Sequence, residues 1–133
     1  MSGDIQRHAP AEGTARVLLR SDVVVAGALA WLNGVGPRNL ENDRTFLPDG
    51  MEGQAQQILA NLETLLARCG SGLDGLVSVR VHLVDFERFE ERFRHVWAKR
   101  FRDLPKPSMS VIGVEALPRG ALVELDAVAR VGG

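Results

Sequence analysis

Residues 107–129 read PSMSVIGVEALPRGALVELDAVA and are the clearest indication of the fold. In the second half, apolar and polar residues alternate, which places successive side chains on opposite faces of a strand. Glu124 and Asp126, two positions apart, then share one face. Pro and Gly in the linker EALPRG are typical of a turn. The segment therefore predicts two strands, Ser108 to Val114 and Ala121 to Val131.

The preceding chain predicts three more strands and two helices. Asp49 and Glu52 have the spacing of a capping box, and leucines at helical spacing follow until Gly70. Asp85 is expected to cap a second helix, which ends at the sequence RDLPKP. Runs of strand-forming residues predict the remaining strands, Ala15 to Leu19, Val23 to Leu29 and 76–84.

The order ββαβαββ predicts an α+β fold, a mixed sheet with both helices on one face. The helices are expected to cover four apolar strand positions, Val79, Val81, Val123 and Leu125. The opposite face then carries four polar side chains, Arg80, His82, Glu124 and Asp126. No helix remains to cover that half-polar face, and such a face usually packs on another subunit. We therefore predict an oligomer.

The composition is that of an ordinary globular protein. The 133 residues are 45% hydrophobic and 25% charged, with a net charge of −1. They predict one domain, 1–133, with a frayed tail over 1–13. A nearly neutral chain has no general attraction for nucleic acid or anionic membranes, and no window has the apolar length of a membrane span. The single cysteine, Cys69, and the absence of a signal peptide favour a cytoplasmic protein.

The sequence contains no metal, nucleotide or phosphate motif, and its three histidines lack ligand spacing, so we predict no metal and no cofactor. Candidate chemistry lies instead on the polar sheet face. There, Glu124 and Asp126 either have the raised pKa values of shielded acids, which suit general acid–base catalysis, or pair with Arg80 structurally. His82 alternates with Arg80 and is interpreted as an interface histidine.

Three stretches resemble the Rid family, which is also called YjgF/RidA and, in older naming, endoribonuclease L-PSP. They read DVVVAG, GQAQQILANLETLLARCGSGLDGLVSVRVHLVDFERF and PSMSVIGVEALPRGALVELDAVA, and the resemblance runs from about Ala15 to Val131. It implies a chorismate-mutase-like fold and a homotrimer whose sheets face inward, with small-molecule clefts between the subunits. Well-understood members of the family hydrolyse reactive enamines and imines, such as 2-aminoacrylate, to a keto acid and ammonia.

The resemblance also implies which residues form the site. The family's acid, which helps to position water, falls on Glu124. The family's turn P-x-R-[ST] reads Pro107-Ser108-Met109-Ser110 here, so that Met109 replaces the arginine that binds the substrate carboxylate. A thioether offers no hydrogen-bond donor, whereas an arginine fork forms two charge-assisted hydrogen bonds to a carboxylate.

Two further departures from the family agree with the one at Met109. A family tyrosine falls on Gly13, and a small hydroxyl residue is replaced by Ala26. These departures imply a more apolar cleft with a weaker hold on anions. We predict Glu124 as the catalytic residue, and six residues as substrate-binding, Met109, Val111, Ala26, Gly27, Arg80 and His82.

Several functions remain open from the sequence. One is a divergent imine or enamine hydrolase acting on a pathway intermediate less anionic than amino-acid-derived imines. Another is a non-catalytic metabolite-binding or regulatory protein. A third is an ordinary 2-iminobutanoate/2-iminopropanoate-type deaminase whose carboxylate is held by another arginine, Arg16, Arg80 or Arg119. A ribonuclease is disfavoured because the chain has no nucleic-acid footprint. The long loop from Asn33 to Gly50 is either a lid or a surface connection.

Overall fold

The structure, a computed structural model, describes residues 4–42 and 47–132 and contains one six-stranded sheet. Its strands are β1 Ile5–His8, β2 Val23–Ala26, β3 Leu29–Val35, β4 Leu76–Val84, β5 Ser108–Val114 and β6 Val123–Arg130. They lie in the order β1-β2-β3-β6-β4-β5, and only β4 and β5 are parallel neighbours. Two helices, α1 Gly50–Arg68 and α2 Phe86–Arg100, complete an α+β fold that confirms the predicted class.

The two helices cover one face of the sheet. The strand positions expected beneath them are 0–3% exposed, namely Val79, Val81, Val123 and Leu125. From α2, Phe93 and Trp97 enter the same core, and the Trp97 ring stacks on Phe101 at 4.4 Å between centroids. Neither helix combines the length and the apolar character that crossing a bilayer requires. The core therefore forms where the alternation in the sequence predicted it.

The other face of the sheet, which we call the open face, has no helix packed on it among the described residues. It carries the predicted polar set, Arg80, His82, Glu124 and Asp126, which are half-buried or exposed. Strand register places His82 opposite Glu124 and Arg80 opposite Asp126. The polar residues of β4 and β6 therefore stand in adjacent pairs on one surface.

The predicted capping box of α1 and the predicted cap of α2 do not form. Asp49 precedes α1 in an extended conformation, but its side chain makes no capping hydrogen bond. Glu52 instead accepts two hydrogen bonds from Arg92 of α2, at 2.7 and 2.9 Å, and the hydrogen bonds lower the Glu52 pKa to about 2. The Glu52 carboxylate therefore joins α1 to α2 through a bidentate pair. Asp85 likewise makes no cap bond, whereas Gly70 follows α1 with the positive φ that was expected.

Three features of the first 35 residues differ from the prediction. Part of the expected tail is strand β1, which pairs with β2 and thereby takes the place predicted for Ala15 to Leu19. That apolar run forms a 3₁₀ turn, Ala15–Leu18, in which Leu18 is 92% exposed. The expected strand from Val23 to Leu29 is interrupted because Gly27, at φ 62°, reverses the chain. Strand β3 consequently runs on to Val35, inside the predicted loop.

A buried ion pair holds the segment that follows β3. Arg38 and Asp22 are 4% and 3% exposed, and Arg38 Nη2 lies 3.0 Å from Asp22 Oδ1. From α1, the Asn61 amide donates to the carbonyl oxygens of Gly36 and Arg38, at 2.8 and 2.7 Å. The first part of the predicted lid is therefore fastened to the body of the protein. Residues 43–46 of that loop lie outside the described residues.

Candidate functional site

A cavity of about 380 Å³ opens beside Glu124, and we call it the Glu124 cavity. Its polar wall consists of Glu124 and four arginines, Arg16, Arg20, Arg38 and Arg119. Leucine and proline side chains form much of the remaining wall, Leu19, Pro37, Leu47 and Pro118. Within the described ranges, no group of three or more His, Cys, Asp or Glu residues could hold a metal ion. The charged side chains of this cavity are therefore four guanidinium groups, which donate hydrogen bonds, and one carboxyl group.

An irregularity in β3 shapes one side of the cavity. The pairing of β3 with β6 shifts register between Leu32 and Val35. Inside the shift, the Gly34 N–H donates to Asp126 Oδ1 at 2.9 Å. The Arg20 guanidinium donates to the carbonyl oxygens of Asn33 and Gly34. Asp126, which lies on β6, therefore holds the bulge of β3 in place. The carbonyl oxygens of that bulge in turn hold Arg20 beside Glu124.

Arg20 and Glu124 both lie close to Gly34, which has no side chain to displace them. A Cβ atom built on Gly34 would lie 2.5 Å from Arg20 Nη1 and 3.4 Å from Glu124 Oε1. The φ angle of Gly34 is +75°, a conformation that residues with a side chain rarely adopt. The positive φ therefore favours glycine at this position, and a side chain here would also displace the flexible end of Arg20.

Replacing Gly34 with Ala is expected to lower the free energy of unfolding by about 2–3 kcal/mol, through backbone strain together with displacement of Arg20. Gly27→Ala is the matched control, since Gly27 also has a positive φ but no atom within 4 Å of a Cβ built there. That control should lose only about 1 kcal/mol. Chemical denaturation of both variants measures the difference, and equal losses would show that the contact with Arg20 is unimportant.

The surroundings of Glu124 change its acidity. Burial raises the pKa of this half-buried carboxyl group above its ordinary value, and Asp126 adds to the rise. The positive charges of Arg20 and Arg16 oppose this rise in the Glu124 pKa only in part. The sequence left open that Arg80 pairs structurally with Glu124 or Asp126. Among the described residues, Arg80 forms no ion pair of 4.0 Å or less with either carboxyl group. A carboxyl group with a raised pKa in a cavity has the properties of a general acid or base.

Met109 and Val111 lie on the other side of the sheet from Glu124. Register with β4 places Met109 beside Val79 and Val111 beside Val81, on the face that the helices cover. Met109 remains 38% exposed because β5 is an edge strand. Within one protomer, Met109 is therefore not part of the cavity that contains the predicted acid.

A second groove, of about 420 Å³, lies further along the sheet. Arg80, Asp126 and Trp31 contribute to it, and Met109 belongs to its edge. Its members come from β3, β4, β5 and β6, so that it crosses most of the sheet. Arg80, a predicted binding residue, thus lines this groove, whereas the predicted acid lines the Glu124 cavity.

Of the remaining residues considered in the sequence, one lies next to Glu124 and the others lie away from the Glu124 cavity. His82 adjoins Glu124 across the strand pair, as predicted for the open face. Ala26 lies on β2, and Gly27 lies in the turn after it, beside a different depression. Gly13 is an exposed turn residue with φ 89°. Ala26, Gly27 and Gly13 do not line the Glu124 cavity.

Several residues of the cavity were not predicted, and Arg20 and Gly34 are the two that matter most beside Glu124. Arg20 was expected in a turn between strands, and Gly34 was expected in a loop without regular structure. A usable signal was present at Gly34, because glycine within a strand often marks a bulge or a close backbone approach. Arg16 and Arg119 were considered as possible anion ligands, and the structure places both in the wall of the cavity.

The fold and the open sheet face define a small α+β protein of the YjgF type. Residues 10–131 match the sequence model of the family described as Endoribonuclease L-PSP, and the chain belongs to that family. This confirms the resemblance drawn from residues 107–129 and the two other stretches. The family assignment also agrees with the mixed sheet and the two helices described above.

Individual relatives support the assignment. Protein HMF1 of Saccharomyces cerevisiae is 34% identical over 101 residues, which cover 76% of this chain and 75% of HMF1. Reactive Intermediate Deaminase A, chloroplastic, of Arabidopsis thaliana is 29% identical over 109 residues, covering 82% of this chain and 57% of that protein. The crystal structure of yeast Mmf1 superimposes with a TM-score of 0.81 at 27% identity, covering 97% of this chain and all of Mmf1.

Proposed function

We propose that the protein is an imine or enamine hydrolase of the Rid type, in which Glu124 is the catalytic acid–base group. The observation that carries the proposal is a half-buried carboxyl group with a raised pKa that lines a small cavity. The Arabidopsis relative named Reactive Intermediate Deaminase A supports the same reaction class. The cavity volume of about 380 Å³ falls at the small end of the range for ligand sites, about 300–1,000 Å³.

In this mechanism, Glu124 first acts as a general base. It takes a proton from water while the water oxygen bonds to the imine carbon and the C=N π electrons move to nitrogen. Glu124 then returns that proton to nitrogen, which gives a neutral carbinolamine. Next it carries the hydroxyl proton to the same nitrogen, ammonia leaves and the keto C=O bond forms. An enamine enters the sequence after tautomerising to the imine.

The proposal includes a cytoplasmic homotrimer of single-domain subunits whose open faces meet. The open face has no helix on it among the described residues and includes Trp31, which is 37% exposed. Because Met109 and Glu124 face opposite sides of one sheet, a site that contains both must combine two protomers. Multi-angle light scattering is expected to give three times the 14.5 kDa of one chain. A stable monomer would remove the shared site.

The charge of the substrate is a separate question. The sequence-based hypothesis of a less anionic intermediate rests on Met109, Ala26 and Gly13, and these residues do not line the Glu124 cavity. Arg16, Arg20 and Arg119 do line it, which favours the alternative hypothesis of a deaminase with a relocated arginine. The first assay therefore needs an anionic imine and a neutral imine of similar size.

The direct test measures product release from 2-aminoacrylate and from a neutral imine. We expect the wild-type protein to release the carbonyl product at least about 100-fold faster than the spontaneous reaction, the lower end for one positioned acid–base group. Heat-denatured protein at equal concentration is the control for buffer and surface effects. If neither imine is hydrolysed faster than in the control, the protein is not a hydrolase of this class.

A non-catalytic metabolite-binding protein is the second candidate. The arginines of the cavity support it, because guanidinium groups bind a planar anion without any reaction. In such a protein, Glu124 would contribute selectivity rather than proton transfer. Saturable binding of a 2-oxo acid without hydrolysis of either imine would favour this second function over the first.

A further inference from the structure

A carboxyl group and a guanidinium group border the same space beside β3. The point that a Cβ atom on Gly34 would occupy lies 3.4 Å from Glu124 Oε1 and 2.5 Å from Arg20 Nη1. Both residues are half-buried, and both line the Glu124 cavity. Because Gly34 has no side chain, a small molecule in that cavity has access to both groups. A proton acceptor and a positive charge therefore stand side by side in one small space.

The guanidinium of Arg20 is held in a defined orientation. Its Nη1 donates to the Asn33 carbonyl oxygen, and its Nη2 donates to that of Gly34 at 3.3 Å. These bonds engage two of the five N–H groups that an arginine carries. A donor that is already oriented stabilises a developing negative charge without reorganising during the reaction. Arg20 is therefore suited to an oxygen atom that becomes negative in a transition state.

Glu124 has the properties of a base that removes a proton from carbon. Burial raises the Glu124 pKa, and Asp126 adds to the rise, so that the carboxylate accepts a proton more readily than an ordinary one. A C–H group next to a carbonyl is a weak acid, and its ionisation requires a base together with a group that stabilises the enolate oxygen. The hydrolysis proposed above uses Glu124 only toward water and nitrogen. The pair formed by Glu124 and Arg20 therefore has a capacity that hydrolysis leaves unused.

Resting on the proposed acid–base role of Glu124, we infer that the protein is also a keto–enol tautomerase that acts on the carbon next to the carbonyl group of a small 2-oxo compound. The Glu124 carboxylate takes a proton from that carbon, and the C–H electron pair forms a C=C bond. The carbonyl π electrons move to oxygen, where Arg20 stabilises the negative charge of the enolate. The enolate oxygen takes a proton from water, and the resulting hydroxide takes the proton from Glu124. The same steps in reverse convert the enol to the ketone, and no oxidant or reductant is consumed.

Exchange of carbon-bound protons with solvent deuterium measures this activity. 2-Oxobutanoate and its neutral amide, 2-oxobutanamide, are each incubated with the wild-type protein in D₂O, and proton NMR follows the methylene signal beside the carbonyl group. The two probes differ in charge, so the result does not depend on how the rest of the molecule is held. We expect at least one probe to exchange about 100-fold faster than with heat-denatured protein. Because a chiral site removes one methylene proton before the other, the signal should fall to half of its intensity before it declines further.

Variants of the two residues separate a chemical role from a structural one. Glu124→Gln should reduce the exchange to the spontaneous rate, and Arg20→Gln should lower it about 100-fold, as is usual when one donor to a developing oxyanion is removed. Arg20→Lys keeps the positive charge but not the fork that holds the bulge, so it should retain more exchange than Arg20→Gln. Equal losses in these two variants would assign Arg20 a structural role and overturn its part in the inference. Arg102→Gln is the matched control and should change nothing, because Arg102 is exposed and lies outside the Glu124 cavity.

The tautomerase and the hydrolase fail in different ways. If imines are hydrolysed but neither probe exchanges faster than with heat-denatured protein, the tautomerase is wrong and the proposed hydrolase stands. If a probe exchanges and no imine is hydrolysed, Glu124 acts on carbon and the proposed hydrolase is wrong. Exchange of both methylene protons at equal rates, unchanged in Glu124→Gln, would indicate catalysis by groups outside the Glu124 cavity and would also overturn the inference.

Discussion

Glu124→Gln is expected to reduce kcat/KM for imine hydrolysis by about 10²–10⁴-fold, the contribution of a positioned general acid–base group. Gln preserves the size and hydrogen-bonding capacity of the side chain but cannot exchange a proton with water. Measurement of keto-acid release at saturating and limiting imine concentrations separates kcat from KM. Glu115→Gln is the control, because Glu115 is an exposed carboxylate outside the cavity.

The same variant should be more stable than the wild type at neutral pH. Because burial raises the Glu124 pKa in the folded protein, the folded state binds more protons than the unfolded state between the ordinary and the raised pKa. The free energy of unfolding therefore falls as the pH rises through that window, and the penalty is fully present above it. Glu124→Gln removes this penalty.

The expected gain is below about 1 kcal/mol, because the carboxyl group is only half-buried and solvent screens it. Thermal unfolding at pH 7 and at pH 4 measures the effect, and the difference between the two proteins should shrink at the lower pH. Loss of activity together with a large loss of stability would indicate instead that Glu124 is a structural residue. An active Glu124→Gln variant would contradict its proposed role in proton transfer.

Arg38→Ala is expected to lower the free energy of unfolding by about 3–5 kcal/mol, since it leaves the Asp22 carboxylate buried without its main partner. The two side chains are almost completely buried, with 3.0 Å between Arg38 Nη2 and Asp22 Oδ1. The Arg38 guanidinium also donates to the carbonyl oxygens of Asn39 and Leu40, at 3.5 and 3.4 Å, and the variant loses these bonds as well. Urea denaturation measures the loss.

Arg68→Ala is the matched control for that prediction. Arg68 Nη1 also approaches Asp22, but at 3.7 Å and with its side chain 30% exposed. Its removal should lower the free energy of unfolding by no more than about 1 kcal/mol, as is usual for partly solvated pairs. The double variant Asp22→Asn/Arg38→Met should be less destabilised than Arg38→Ala, because it buries no unpaired charge. Similar losses in Arg38→Ala and Arg68→Ala would mean that burial does not govern this network.

Much of the fold could be predicted from the sequence because its signals are local. The alternation of Val123 and Leu125 with Glu124 and Asp126 assigns the two faces of β6 wherever that strand lies in the sheet. The leucine pattern of α1 similarly identifies the side that packs on the sheet. Such periodicities depend only on backbone geometry, and the structure confirms the two helices and the covered sheet face.

The N-terminal region was predicted wrongly because strand propensity does not specify a partner. The run Ala15 to Leu19 has a suitable composition for a strand, but the edge of β2 is already paired with Ile5–His8. Without a neighbouring strand, the run forms local hydrogen bonds, such as that from the Leu19 N–H to the Arg16 carbonyl oxygen. Arg16, which was predicted in a strand, therefore lies in a 3₁₀ turn and in the wall of the Glu124 cavity.

The sequence by itself determined the family, through the resemblance of its motifs, and the α+β architecture, through the spacing of its apolar residues. It also predicted Glu124 as the acid. Tertiary structure alone decided what surrounds that acid. Register places Met109 on the opposite side of the sheet, while a bulge at Gly34 fixes Arg20 beside Glu124. Register and bulges arise from pairing between residues far apart in sequence, such as Gly34 and Asp126. A local pattern can mark a bulge, as the glycine in β3 does, but it does not specify the partner.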